Sequence, residues 1–278
     1  MIMDERFARY LRPMAPQPTG LMPSGRLPPQ LRCILFDVYG TLLISGSGDI
    51  GVSGEAALKV DAVQRLMDDF RLTGTPAELR RRFHAAIADE HRRLKRAGID
   101  HPEVVVESIW AAVLQHSDLE SVRRFALEYE LIANPVYPMP NLNRLLRICR
   151  KNDIVLGIIS NAQFYTPLLL SHFLSASLAQ AGFDADLLQF SFAAGSAKPS
   201  TIMFNNAANI LLHKEISLHS TLYVGNDMRN DILPAHQAGF ATALFAGDRR
   251  SLRLRKDDPQ CAAVSPDLVV TDLKQLVP

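Results

Sequence analysis

The sequence is short of the features that define several classes of protein. Its three cysteines, Cys33, Cys149 and Cys261, are far apart and form no Cys-x-x-Cys pair, which argues against a disulfide framework and favours a reducing cytoplasm. No run approaches the roughly 18 apolar residues of a membrane helix. The N-terminus carries Asp4 and Glu5 and lacks the apolar core of a secretory signal. We therefore expect a cytoplasmic protein with no membrane partner.

Net charge is also nearly absent. Lys and Arg number 30 and Asp and Glu number 29, a formal net charge of +1, so no global field favours nucleic acid as a partner. Hydrophobic residues make up 47% of the 278 residues and charged residues 21%, as in ordinary globular proteins of one or two domains. The composition leaves open a monomer or a homodimer.

Prolines and glycines divide the chain. Six prolines within residues 1–30 predict an arm rather than a domain, with a short helix over 4–11. A Gly/Ser-rich stretch at 45–54 and three prolines at 135–140 bracket helical periodicity over 55–134. These two stretches would both connect the helical segment to the same body, an arrangement that is typical of a lid. We therefore expect a helical bundle that covers the rest of the molecule.

Outside this bundle, strands alternate with helices. Strands are predicted at about 32–37, 154–159, 188–193, 221–224, 241–245 and 268–270, and one helix from Thr166 towards Gly182. Such alternation gives an α/β fold, a Rossmann-like parallel sheet flanked by helices. The expected division is an arm at 1–30, a core at 31–46 and 138–278, and an all-helical cap at 47–137.

Polar side chains follow four of the predicted strands. They are Asp37 with Thr41, Ser160 with Asn161, Lys198, and Asp227 with Asp231. The carboxyl ends of parallel strands meet at one edge of a sheet, which makes one site more plausible than four unrelated turns. A carboxylate can attack phosphorus, and Lys198 can neutralise the charge that phosphoryl transfer develops. Three carboxylates make a hard oxygen site that suits Mg²⁺.

Taken in order, the four clusters resemble the motifs of the haloacid dehalogenase superfamily of hydrolases. The motifs read Phe36-Asp37-Val38-Tyr39-Gly40-Thr41-Leu42, then Ile158-Ile159-Ser160-Asn161, then Lys198-Pro199, then Val224-Gly225-Asn226-Asp227-Met228-Arg229-Asn230-Asp231. The resemblance extends over about 31–274, and the inserted bundle is similar to the helical cap of that family. Each motif alone is weak, but all four in order are a specific pattern.

The resemblance implies a role for each residue. Asp37 is expected to be the nucleophile, and Lys198 to steady the charge of nucleophile and substrate. Ser160, Thr41 and Tyr39 are expected to contact the substrate, and Asn161 to shape the same pocket. The implied cofactor is Mg²⁺, held by Asp37, the backbone carbonyl of Tyr39, Asp227 and Asp231. The implied substrate is a small anionic molecule.

Two departures from the family pattern leave the reaction open. Family phosphatases usually carry an acid–base Asp two residues after the nucleophile, where this chain has Tyr39. The dehalogenase branch has Tyr there, but it uses no metal and lacks a fully acidic fourth motif. The second departure is Asn226, which stands between Gly225 and Asp227, so either Asn226 or Asp227 is the first ligand of the loop.

We expect a Mg²⁺-dependent phosphatase that forms an aspartyl-phosphate at Asp37. The alternatives are a metal-independent 2-haloacid dehalogenase and a non-catalytic binding protein on the same fold. In the cap, the arginines at 80–82 and 92–93 are expected on a solvated face rather than at the substrate. His84 and His91 have no partner for a zinc site, and Trp110 is expected in the cap core.

Overall fold

The computed structural model describes residues 10–47 and 60–277, so most of the predicted helix over 4–11 and of the Gly/Ser-rich stretch lies outside the described residues. The strands are β1 Ser24–Gly25, β2 Cys33–Phe36, β3 Leu43–Ser45, β4 Val136–Pro138, β5 Val155–Ser160, β6 Phe183–Phe190, β7 Thr221–Gly225, β8 Ala241–Phe245 and β9 Leu268–Val270. The helices are α1 Val60–Asp69, α2 Pro76–Arg96, α3 Val106–Leu114, α4 Leu119–Ala133, α5 Leu142–Lys151, α6 Tyr165–Leu174, α7 Leu178–Ala181, α8 Ser191–Ala194, α9 Ile202–His213, α10 Leu233–Gln237 and α11 Pro259–Ala262.

Seven strands form the main sheet in the order β1-β9-β8-β7-β2-β5-β6. All neighbours are parallel except β1 with β9. Strand β2 lies between β5 and β7 and is buried along its whole length, which explains its unbroken apolar sequence. The α/β expectation is confirmed, and the carboxyl ends of β2, β5 and β7 meet at one edge.

Two predicted elements have different bounds. The strand expected at 188–193 covers Phe183–Phe190 and is followed by the short helix α8. The helix expected from Thr166 to Gly182 is two helices. Ser175, with φ 51, takes a left-handed conformation that ends α6, and Ser177 forms a capping box with Gln180 that starts α7.

Helices α1 to α4 form the cap. Helix α2 starts at a capping box between Thr75 and Glu78 with Pro76 in its first turn. The cap core is aromatic: the Trp110 ring stacks on Phe83 with centroids 4.1 Å apart and meets Phe125 edge-on at 4.8 Å. Trp110 is 1% exposed, so its predicted place in the cap core is confirmed.

The two crossings between sheet and cap pair with each other. Strands β3 and β4 form an antiparallel ribbon in which Ile44 lies opposite Tyr137. Beyond the ribbon, the Gly46 amide donates to the Pro135 carbonyl at 2.8 Å. A Cβ at Gly46 would lie 2.7 Å from the Pro135 ring, so only glycine fits there. The cap therefore joins the core through a paired, two-stranded connection.

The proline-rich arm contacts both parts of the molecule. Tyr10 donates a 2.8 Å hydrogen bond to Glu128 of α4, and Thr19 donates to the Ala246 carbonyl at 2.9 Å. Strand β1 then extends the main sheet at its edge. The arm thus packs along the body, while its role and the expected domain boundaries stay predictions.

The cysteines behave as core residues. Cys33, Cys149 and Cys261 are buried and unpaired, and burial raises the pKa of Cys149 to about 12. None of the helices within residues 10–47 and 60–277 is long and apolar enough to cross a membrane.

Candidate active site

Asp37 directly follows β2 at the carboxyl edge of the sheet. Its backbone amide donates to the Val224 carbonyl at 2.9 Å, which continues the pairing with β7. The side chain is buried, and its Oδ1 accepts hydrogen bonds from Ser160 Oγ at 2.9 Å and Lys198 Nζ at 2.7 Å. Its Oδ2 has no protein hydrogen-bond donor among the described residues, which leaves this oxygen for a ligand.

Lys198 lies between two carboxylates. Its ammonium donates to Asp37 Oδ1 at 2.7 Å, to Asp231 Oδ1 at 2.6 Å and to the Tyr223 hydroxyl at 3.2 Å. Asn161 fixes the backbone at this point, because its Oδ1 accepts from the Lys198 amide at 2.7 Å. With the more distant Ile159 carbonyl at 3.5 Å, these acceptors occupy all three protons of the ammonium, so the lysine has one well-defined position.

The acidic loop after β7 is folded around Asp231. Asp231 Oδ2 accepts from the backbone amides of Asn226 at 3.0 Å and Asp227 at 2.9 Å. Tyr223 OH lies 2.8 Å from Asp231 Oδ1. A Cβ at Gly225 would come within 2.5 Å of Asp231 Cβ, so the loop requires glycine there. Both oxygens of Asp231 are therefore engaged by the protein.

Asp227 has a different partner. Arg255 donates to it with both arms of the guanidinium, Nε to Oδ1 at 3.0 Å and Nη2 to Oδ2 at 2.6 Å. Asp227 Oδ1 also caps the π-helical turn Met228–Ile232 by accepting from the Arg229 amide at 2.8 Å. A bidentate pair of this kind fixes the carboxylate in position and orientation.

Burial controls the titration of the central pair. Burial raises the pKa of Asp37 to about 6, because Lys198 offsets only part of the desolvation and Asp231 adds to it. Burial acts to lower the pKa of Lys198, but Asp231 and Asp37 outweigh it and the pKa is raised. At neutral pH the ionised carboxylate of Asp37 therefore lies beside the ammonium of Lys198.

The Tyr39 hydroxyl is poorly suited to acid–base chemistry. Its hydroxyl lies 2.8 Å from Thr166 Oγ1 at the start of α6. Burial raises its pKa far above the usual value, and the nearby Glu130 raises it further. A phenol in that state neither gives up nor takes a proton readily at neutral pH.

A tight turn brings the first motif against the loop that follows β7. Gly40, with φ +83, is in a left-handed conformation that favours glycine. A Cβ there would lie 2.5 Å from Asn226 Nδ2. The side-chain amide of Asn226 donates from Nδ2 to the Ser251 carbonyl at 2.7 Å. Asn226 therefore holds three segments together.

A cavity of about 340 Å³ lies between core and cap. Its core wall contains Asp37, Tyr39, Asn161, Ala162, Lys198, Asn226, Asp227, Asn230, Asp231, Ser251 and Arg253, and its cap wall Phe83, His84, Ile87, His91, Pro102, Glu103, Val104, Val106 and Glu130. The cap wall combines apolar side chains with four ionisable ones, all of which burial shifts towards the neutral form. Burial raises the pKa of Glu103 and Glu130 and lowers that of His84 and His91.

The cap wall is bound to the core close to Asp37. Glu103 accepts from Ser191 Oγ at 2.6 Å and from Gln163 Nε2 at 3.2 Å. The Ala197 amide donates to the His101 carbonyl at 2.8 Å. These contacts fix the segment before α3 next to the second and third motifs, and they close one side of the cavity.

The structure brings most of the predicted site residues together. Asp37, Tyr39, Asn161, Lys198, Asp227 and Asp231 line one cavity, and Ser160 contacts Asp37 from below. Thr41 is different: it is not among the lining residues, and its buried Oγ1 has no hydrogen-bond partner within the described part of the chain. The arginines at 80–82 and 92–93 are absent from the lining, whereas His84 and His91 belong to it.

Sequence reasoning missed Tyr223 and Arg255. The signal for Tyr223 was a hydroxyl inside an otherwise apolar strand, which needs a partner when buried. The signal for Arg255 was a run of basic residues, 249–256, soon after β8 reaches the same sheet edge as the other motifs. Both residues act through a carboxylate of the acidic loop.

The carboxylates of the expected magnesium site are already engaged by protein donors, with one exception. Of the three carboxylates, only Asp37 keeps an oxygen without a protein donor among the described residues, since Arg255 holds Asp227 and four donors hold Asp231. Within the described ranges no group of three or more His, Cys, Asp or Glu side chains is arranged to hold a metal ion. In this arrangement the residues do not fit Mg²⁺.

The chain belongs to the haloacid dehalogenase-like hydrolases, whose family model matches residues 31–239. A comparison with curated protein sequences gives no significant match.

Solved structures with the same fold include a 2-haloacid dehalogenase from Pseudomonas syringae pv. Tomato, 19% identical over 88% of this chain and 96% of that one, with TM-score 0.55. Another is the HAD-hydrolase YfnB from Bacillus subtilis bound to magnesium, 20% identical over 89% and 97%, with TM-score 0.51. A third is L-2-haloacid dehalogenase from Xanthobacter autotrophicus, 16% identical over 88% and 96%, with TM-score 0.50. At these identities the likeness is one of fold.

Proposed function

We propose that this hydrolase releases halide from 2-haloacids without a metal ion. The observation that carries the proposal is Tyr39. The position two residues after the nucleophile holds a buried phenol, bound to Thr166 at 2.8 Å and with a raised pKa. An alcohol leaving group needs a proton donor there, whereas a halide leaves without a proton. The site therefore suits a halide better than a phosphate ester.

In the proposed mechanism the two oxygens of Asp37 have different tasks. Oδ2 attacks the carbon that carries the halogen; the new C–O bond forms as the carbon–halogen bond breaks, and the halide leaves with the electron pair. Water then attacks Cγ of the ester and the Cγ–Oδ2 bond breaks; one proton of the water ends on the departing alkoxide oxygen, the other passes to solvent, and the 2-hydroxy acid is released. The charge of that step develops on Oδ1, which Lys198 contacts at 2.7 Å and Ser160 at 2.9 Å.

Charge and size of the cavity point to a class of acid. Its lining carries cations only on the core wall, Lys198 and Arg253, among the residues that the structure describes. The substrate carboxylate belongs there, and the apolar part of the acid against Phe83, Ile87 and Val104. A volume of about 340 Å³ lies within the range of roughly 300–1,000 Å³ of small-molecule pockets. An acid longer than 2-chloropropionate therefore fits.

The test is halide release from 2-chloropropionate and 2-chlorohexanoate, each with and without EDTA. We expect release that EDTA leaves unchanged, faster with the longer acid, and lost in Asp37→Asn. Activity found only when Mg²⁺ is added, or activity that survives Asp37→Asn, contradicts the proposal.

A Mg²⁺-dependent phosphatase is the second candidate. It is favoured by Asp227 and Asp231, two acids four residues apart that line the same cavity as Asp37. It requires Arg255 to leave Asp227. Phosphate release from p-nitrophenyl phosphate or acetyl phosphate in Mg²⁺, absent in EDTA and absent from Asp37→Asn, selects this candidate over the first.

A further inference from the structure

The basic segment, residues 249–256, runs beside the acidic loop and is bonded to it along the backbone. The Arg253 amide donates to the Asn226 carbonyl at 2.9 Å, and the Met228 amide donates to the Arg253 carbonyl at 2.9 Å. Asp227 and Arg253 face each other as a parallel bridge. The part of the segment around Arg253 therefore belongs to the site.

Side-chain packing holds the same segment in place. Leu252 and Leu254 pack against a small apolar cluster that includes Met228 and Ile232 of the loop. Arg255 itself has φ 49, a left-handed conformation that residues other than glycine adopt at a cost. Packing of the residues just before Arg255 thus supports the strained backbone at this position.

We infer that Arg255 is a built-in cation that takes the place of a divalent metal on Asp227. Its two nitrogens reach both oxygens of that carboxylate, at 3.0 and 2.6 Å. The Asp227 side chain is 9% exposed and that of Arg255 is 36% exposed. The carboxylate is therefore nearly buried, and the arginine covers it from the solvent side. The guanidinium neutralises the loop and leaves Asp227 no oxygen for a metal.

This inference deepens the proposed metal-independent reaction and rests on it. A carboxylate beside Asp37 would repel an anionic substrate if nothing neutralised it. Where an acidic loop of this type could recruit Mg²⁺ from solution, the present chain supplies a covalently attached charge. An acidic fourth motif is then compatible with a metal-independent reaction and with Tyr39 in the first motif, because its acids are already paired within the protein.

The experiment compares wild type with Arg255→Gln, and uses Lys256→Gln as the matched control. Lys256 is the next residue and is exposed, so both variants lose one positive charge at nearly the same place. Thermal unfolding is measured with EDTA and with increasing MgCl₂, because a ligand that binds only the folded state raises the unfolding temperature. Halide release from 2-chloropropionate is measured in parallel.

We expect Mg²⁺ to leave the unfolding temperature of wild type and of Lys256→Gln unchanged and to raise that of Arg255→Gln in a saturable manner. Halide release in EDTA should fall about tenfold or more in Arg255→Gln and stay within about twofold in Lys256→Gln. Saturable stabilisation of wild type by Mg²⁺, or its absence from a folded Arg255→Gln, overturns the inference.

Arg255→Lys keeps the charge without the bidentate geometry and should not gain Mg²⁺ stabilisation, which serves as a second test if Arg255→Gln fails to fold. A Mg²⁺ response in Arg255→Lys equally counts against a cation substitute. Metal binding is measured by thermal unfolding and not by activity. If the protein releases no halide, the proposed function fails, but the unfolding data still test the role of Arg255.

Discussion

Replacing Lys198 by Met removes the cation between two buried carboxylates. Its Nζ lies 2.7 Å from Asp37 Oδ1 and 2.6 Å from Asp231 Oδ1. Breaking a buried ion pair on one side typically costs about 3–5 kcal/mol. We therefore expect the free energy of unfolding to fall by about that amount near pH 7, measured by urea denaturation.

The effect on rate has two parts. In the proposed mechanism, loss of a donor to Oδ1 removes stabilisation of the ester-hydrolysis step, which typically costs about 10²–10³ in rate. Loss of the neighbouring cation also raises the pKa of Asp37 from about 6 by about 1–3 units, so little nucleophile is ionised near pH 7. We expect a loss of about 10³–10⁴ near pH 7 that shrinks to about 10²–10³ near pH 9.

The matched control is Lys214→Met. Lys214 also pairs with two carboxylates, Asp184 at 2.8 Å and Asp186 at 3.0 Å, but on the surface and away from the cavity. It should change rate and stability little. The double variant Lys198→Met with Asp231→Asn should regain much of the stability and none of the rate. The reasoning is refuted if Lys198→Met loses less than about tenfold in rate and the acid limb of its pH–rate profile does not shift.

Four shorter predictions follow from the same contacts. The kcat/KM of wild type should rise with pH through about 6, because Asp37 must be ionised; a flat profile counts against it. The raised pKa also makes ionisation of Asp37 destabilising, so the stability of Asp37→Asn relative to wild type should increase as pH rises from about 4 through about 6, in urea denaturation. Tyr39→Phe loses the bond to Thr166 and should cost about 1 kcal/mol of stability with the rate within a few-fold; a large rate loss would show an acid–base role. Trp110→Ala should lower stability by about 3–5 kcal/mol through the cap core, and a small loss by calorimetry would show that the cap unfolds separately.

The sequence predicts the sheet well, and for a physical reason. Strand β2 is buried on both faces, so its composition is unbroken and its end is marked by the first polar residue, Asp37. Parallel pairing then requires the ends of β5 and β7 to lie beside it. The convergence of Asp37, Ser160 and Asp231 follows from topology alone.

What the sequence could not predict is which partner each charge takes. Asp227 and Asp231 look alike in sequence, yet Arg255 pairs with the first and Lys198 with the second. Arg255 lies 28 residues away from Asp227, and no local pattern specifies such a contact. The same limit applies to β6 and α8, whose boundary depends on packing of Ser191 against the second motif rather than on propensity.

The central claim is a covalent ester at Asp37 that water opens at Cγ. The most direct measurement is mass spectrometry of the Asp37 peptide after turnover of 2-chloropropionate in heavy-oxygen water. The proposed mechanism predicts incorporation of the heavy oxygen into the Asp37 carboxylate, at a level that EDTA does not change. Halide release with an unlabelled Asp37 and label only in the hydroxy acid would contradict it.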